Sequence, residues 1–179
     1  MKTQIQPIYR LFAALFTYPS PNLPAEISEC QDRLTTDYPA AAELINQFQT
    51  FVDSTSIAHL EEIYTSTFDV NPVCFPYPGF HLFGENFNRA DFLVKLKQKY
   101  QEHGFTAPEN ELADHLSVML QFLSMLEPDA VLARELIENC LVPALEKMNE
   151  GFKTDSPYAT VVRSLLSFLH SRQPVSMGA

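Results

Sequence analysis

Apolar residues recur at spacings of three and four along nearly the whole chain, and the prolines fall mostly between the periodic segments. A side chain on one face of an α-helix returns after three or four positions, whereas a half-buried strand alternates every two. The pattern predicts helices near 5–17, 24–36, 39–52, 56–67, 87–103, 111–126, 129–150 and 156–171. Strand signals are weak throughout. In the last segment Tyr158, Val161, Val162, Leu165, Leu166, Phe168 and Leu169 form one broad stripe. Ser156 followed by Pro157 is a start signal for that helix, since serine caps and proline suits the first helical position. The expected fold is all-α: a single-domain helical bundle of about eight helices with one long loop rich in proline and aromatic residues.

A chain of 179 residues that is 46% hydrophobic fills one core, so residues 1–179 read as one domain. Charged residues are only 19% of the chain, which argues against disorder. Acidic residues outnumber basic ones 22 to 12, for a formal net charge of −10. That field repels phosphate backbones and anionic lipid, and excludes nucleic acid as the expected partner. The apolar run Leu11 to Phe16 is flanked by Arg10 and has no small-residue cleavage site after it, so it reads as a first core helix rather than a leader. No apolar stretch reaches the roughly 18–20 residues that insertion into a bilayer requires. Cys30, Cys74 and Cys140 are odd in number and far apart, which fits neither a disulfide framework nor a C-x-x-C site. A reducing cytoplasm is the economical location.

The long irregular stretch runs from Asp69 to Glu85 and holds Pro72, Pro76, Pro78, Gly79 and Gly84. Loops of this length in compact domains are often functional. Its aromatics Phe75, Tyr77, Phe80 and Phe83 either close over the core or form a binding lip, and both readings stay open. The segment 111–126 carries the densest polar chemistry. On a helical wheel Leu112, Leu116, Met119, Leu120, Leu123 and Leu126 share one side, with His115 inside that arc and Asp114 at its edge with Gln121. An ionisable group set in an apolar stripe needs a partner. His115 is either a satisfied structural histidine or, with Asp114 and Glu111, part of an acidic cluster that suits a guanidinium or ammonium group. A second group, Glu61 to Asp69, places Tyr64 and Phe68 on one helix face at i, i+4, where core packing is the commoner use.

Catalysis is the weaker reading. The chain has no H-E-x-x-H, no G-x-S-x-G, no P-loop and no G-x-G-x-x-G, and so no expected metal or cofactor. The alternative to a binding protein is a metal-dependent hydrolase of helical fold using His81, Asp114 and His115.

Several short motifs, in order, carry a family resemblance: Tyr9 to Pro19 at the start, then E-x-x-Y-x-x-x-F-D at Glu61, Tyr64, Phe68 and Asp69. H-x-F-G-E follows at His81, Phe83, Gly84 and Glu85 with Arg89 close behind, then K-Y-x-x-x-G at Lys99, Tyr100 and Gly104. E-L-x-D-H-L at Glu111, Leu112, Asp114, His115 and Leu116, with Gln121 to Leu123, completes the set over residues 9–126. The chain thereby resembles the NarJ/TorD/DmsD-type molybdoenzyme assembly chaperones, which include nitrate reductase delta subunit-like proteins. The resemblance implies an all-helical, non-catalytic chaperone. It would hold the catalytic subunit of a molybdenum-containing oxidoreductase of anaerobic respiration until cofactor insertion, often through an N-terminal twin-arginine or remnant signal peptide. It also implies that Asp114 and His115 belong to the peptide-binding region. With the residues singled out above, the candidate client-binding set is Asp114, His115, Glu111, Gln121, Tyr64, Phe68, Tyr77, Phe83 and Glu85. Ala113 stands where proline is common in the nitrate reductase branch, and the loop from Asn71 lacks that branch's basic and serine-rich character. The identity of the client and a homodimer are left open.

Overall fold

Proline and glycine set most of the helix limits. A computed structural model describes residues 4–152 and 155–173, and within these it is helical with no strand. The elements are α1 (Ile5–Leu15), α2 (Leu23–Thr35), α3 (Pro39–Asp53), α4 (Ile57–Tyr64), α5 (Pro78–Phe83), α6 (Phe87–Glu102), α7 (Leu116–Leu123), α8 (Val131–Leu136), α9 (Val142–Gly151) and α10 (Pro157–Arg172). Helices α2, α3, α5, α9 and α10 have proline at the first or second position, where its missing N–H costs nothing. Ser156 occupies the cap of α10 but its side chain makes no capping bond, so Pro157 carries that start.

Helix α6 stops at a glycine. Gly104 has φ +67°, the Gly104 N–H reaches Gln101 O at 3.1 Å, and the Phe105 N–H reaches Tyr100 O at 2.9 Å. This left-handed stop explains why glycine stands at the end of the K-Y-x-x-x-G run. Gly84, at φ +72° and ψ −165°, ends α5 in an extended conformation open to glycine, its N–H on Phe80 O at 2.8 Å, and the Asn86 side chain then caps α6 by accepting from the N–H groups of Asn88 and Arg89.

Three expected boundaries are corrected. The helix expected over 111–126 forms only from Leu116 to Leu123, because His115 is its cap residue and residues 111–115 turn instead. The stretch expected to be wholly irregular contains α5. The rod expected over 129–150 is interrupted by a wide π-turn, Ile137–Leu141, in which the Val142 N–H reaches back to Ile137 O. Pro143 follows at once, and a widened turn relieves the clash its ring would make with the carbonyl four residues earlier. A second π-turn, Thr65–Asp69, extends α4.

In the packing, α3 lies between α2 and α10, α1 between α2 and α7, and α9 alongside α10, while α6 is attached through α5. Aromatic rings join these layers. Phe168 of α10 meets Tyr9, Phe12 and Tyr38 with centroids 5.6, 5.9 and 4.8 Å away. Tyr158 meets Phe48, Tyr64 and Phe68 at 5.3, 5.9 and 5.0 Å. Each buried aromatic of this kind contributes on the order of 2 kcal/mol through apolar burial. Arg172 fastens the last turn, donating to the Tyr9 hydroxyl at 2.6 Å and to Pro128 O at 3.2 Å. No described helix is long and apolar enough to cross a membrane.

Candidate functional site

The polar pair of the segment after α6 divides into two unlike roles. Asp114 is 0% exposed, and its two oxygens accept from Arg89 Nε and Nη2 at 3.1 and 3.2 Å. Such a forked guanidinium–carboxylate pair is the strong form of an ion pair. The Arg89 guanidinium lies over the rings of Tyr77 at 5.3 Å and Phe80 at 6.0 Å. Gly79 leaves the room this needs: a Cβ there would collide with Asp114 Oδ2 and lie 3.0 Å from the Phe92 ring. Leu116 N–H donates to Pro76 O at 2.9 Å, so the 75–83 strap is fixed to the start of α7 at both backbone and side chain.

His115 faces the other way. Its Nδ1 accepts from Ser117 N–H at 3.1 Å, which caps α7 and fixes the neutral tautomer with hydrogen on Nε2. Nε2 lies 3.8 Å from Glu111 Oε2. Burial lowers the pKa of His115, with Glu111 and Asp114 acting in the opposite sense. His81 is likewise lowered by burial, opposed by its bond to Phe75 O at 2.7 Å. Both groups therefore resist protonation in the fold more than in the unfolded chain, where histidine titrates near about 6.5. The stability present above that pH is expected to fall as pH drops through the lowered folded values. Urea midpoints at successive pH values from neutral to mildly acid check this. The decline should flatten in a His81→Asn/His115→Asn variant, and a midpoint independent of pH over that range would contradict the assignment.

Tyr64, Glu111, His115 and Gln121 line one cleft of about 260 Å³, together with Tyr18 and Pro108. Tyr64 forms its floor: the ring is tilted on Phe68 at 5.3 Å, the hydroxyl donates to Phe16 O at 3.2 Å, and burial pushes its pKa up to about 12. On the far side of Tyr18 a wider cleft of about 520 Å³ is bordered by Glu61, Glu62 and Val70. Both clefts combine apolar walls with acidic groups, Glu111 in the first and Glu61 and Glu62 in the second.

The remaining candidates do not line the 260 Å³ cleft. Phe68 is core, as the commoner use of its spacing predicted. Tyr77 stands behind the cleft, donating to Glu111 Oε1 at 2.9 Å. Phe83 packs on Phe92 at 5.4 Å, and Glu85 is exposed at the α5–α6 turn. The trio weighed for hydrolysis is corrected: Asp114 is committed to Arg89, His115 to the α7 cap and His81 to Phe75 O. Among the described residues, no three His, Cys, Asp or Glu groups are placed to hold a metal ion.

Arg89 is the residue of this site to which motif spacing alone assigns no role. The signal was present: Arg89, Leu93, Leu96 and Tyr100 recur at 4, 3 and 4, so the arginine sits on the apolar stripe of α6.

Residues 32–151 match the family described as nitrate reductase delta subunit. The chain belongs to that family. Within the nitrate reductase delta subunit family and its neighbours, it is 29% identical over 171 residues to the Bacillus subtilis nitrate reductase molybdenum cofactor assembly chaperone NarJ, covering 94% of this chain and 91% of that protein. It is 23% identical over 158 residues to the nitrate reductase-like protein NarX of Mycobacterium tuberculosis, of which it spans 24%. The fold matches a crystal structure of a redox enzyme maturation protein from Archaeoglobus fulgidus at TM-score 0.66 and 21% identity, covering 95% of this chain and 96% of that one. Delta subunit-family membership makes this a non-catalytic protein.

Proposed function

We propose that this protein is an assembly chaperone for the molybdenum-containing catalytic subunit of a nitrate reductase. It holds the immature subunit in the cytoplasm while the cofactor is inserted. The observation that carries the reading is the likeness to NarJ along 94% of the chain, including the stretch that builds the cleft. The groove beside Tyr18 supports a particular mode of holding. It combines apolar walls with Glu61, Glu62 and Glu111, on a chain of net charge −10. An amphipathic helical segment with a basic end, as at the N-terminal leader of such a subunit, fits a groove of that chemistry.

The test is affinity capture of the tagged protein from its host, grown anaerobically with nitrate. The expected result is recovery of a nitrate reductase catalytic subunit that lacks its molybdenum cofactor, with recovery reduced several-fold by Glu111→Gln. Recovery of only the mature, cofactor-loaded enzyme, or of no molybdoenzyme subunit, would overturn the proposal.

A further inference from the structure

The ion pair and the cleft meet at Glu111. Its Oε1 is filled, accepting from the Tyr77 hydroxyl at 2.9 Å and from the Leu112 N–H at 3.0 Å. Its Oε2 faces the cleft 3.8 Å from His115, with the side chain 30% exposed. Asp114, the acid that precedes the histidine in sequence, contributes no free charge there, because Arg89 occupies both of its oxygens inside the fold. His115 is neutral, since its Nδ1 is an acceptor. Glu111 has no Lys or Arg partner among the described residues, so it is the carboxylate of this cleft left for an outside cation. What holds it in place is Tyr77, and what holds Tyr77 is the Arg89 guanidinium lying over its ring.

The geometry points to Arg89 as the positioning residue of this cleft and to Glu111, not Asp114, as the residue that selects one cationic side chain of the client segment; this rests on the chaperone reading above. A carboxylate already fixed through one oxygen loses little freedom when the other meets a guanidinium or ammonium group. The pairing of Asp114 with Arg89 removes a competing negative charge and so sharpens where the cation binds. A cleft of about 260 Å³ has room for one long side chain rather than a run of them.

The experiment pairs protein variants with peptide variants. The probe is the N-terminal peptide of the host's nitrate reductase catalytic subunit, together with copies in which each Lys or Arg is replaced singly by norleucine. Calorimetric affinities are measured for the wild type, Glu111→Gln, Tyr77→Phe and Arg89→Lys. In the wild type one peptide position should lose about tenfold on replacement, as expected for a charge-assisted contact, and the same replacement should lose nothing further in Glu111→Gln. Tyr77→Phe keeps the ring on Arg89 but frees Glu111, and should shrink that tenfold to about threefold at the same position. Arg89→Lys should do the same, and should it fail to fold, Tyr77→Phe decides alone. Peptide binding with no position coupled to Glu111, or with coupling unchanged in Tyr77→Phe, overturns this assignment and leaves the chaperone reading standing. A wild-type protein that binds neither this peptide nor the intact subunit overturns both.

Discussion

Asp114→Ala is expected to lower the unfolding free energy by about 3–5 kcal/mol, because it leaves the Arg89 guanidinium without its carboxylate in an almost closed pocket. Arg89 is 12% exposed on its side chain and Asp114 0%, so water compensates little of the loss. Domains of this size are stable by only about 5–15 kcal/mol, and such a change should move the urea midpoint by a large fraction of its value. The cost belongs to the orphaned charge rather than to the attraction between the two groups. An Arg89→Met/Asp114→Leu variant, which removes both charges and keeps apolar volume, should therefore recover most of the stability. A single Asp114→Ala variant that unfolds within about 1 kcal/mol of the wild type would refute this account of the pair.

Gly79→Ala should carry the second large effect, and its sign should depend on Asp114. With Asp114 present, the added methyl has no place: it would collide with Oδ2 and lie 3.0 Å from the Phe92 ring. Overpacking of this kind costs about 1–3 kcal/mol. The collision also pushes the carboxylate away from Arg89, so the loss should stand at the upper end. In an Asp114→Ala background the obstruction is gone, and alanine is a better helix former than glycine by roughly 0.5–1 kcal/mol. There the same substitution should be neutral or stabilising. The denaturation cycle of the two single variants and the double variant reads this coupling directly. Additive losses would mean that Gly79 and Asp114 do not share the space described.

Much of the helical architecture was legible because burial and periodicity agree. In α10, Tyr158, Val161, Val162, Leu165, Phe168 and Leu169 are all buried, and they are six of the seven residues that marked the stripe. The segment 111–126 misled for a physical reason. Leu112 continues the spacing of Leu116 and Met119, yet it is 42% exposed and lies outside the helix. Long-range bonds decide the boundary: Arg89 holds Asp114, and Pro76 O takes the Leu116 N–H. Arg89 is 25 positions from Asp114 and on a different helix, and Pro76 is farther still, so both lie outside the local window that periodicity reads. The π-turns were hidden in the same way, since a single wide turn leaves the apolar spacing of its flanks nearly unchanged.

Of the residues expected to act together, some share one cleft and others do not. Tyr64, Glu111, His115 and Gln121 do come together. Asp114 was grouped with Glu111 because both are acidic and close in sequence, but a buried carboxylate requires a cation, and Arg89 supplies it from 25 residues away. Tyr77 reaches Glu111 across 34 residues. Side-chain pairings at that separation are set by how α5 and α6 fold back, which no local window contains.

The closure of α10 on α1 has a consequence for how the protein is made. Tyr9 and Arg172 are 163 residues apart, and Phe168 supplies the ring against which Tyr9 and Phe12 pack. A ribosome adds residues at roughly 5–20 per second, so Tyr9 and Phe12 wait on the order of ten seconds or more for the Phe168 ring, although α2 and α7 reach α1 sooner. During that interval the edge of α1 that carries these two rings is open to any passing chain. A protein whose own work is proposed to be the shelter of another nascent subunit would itself depend on shelter at this stage. Arrested chains ending before α10 should accordingly be more protease-sensitive around Tyr9 and Phe12 than chains from which α10 has cleared the tunnel.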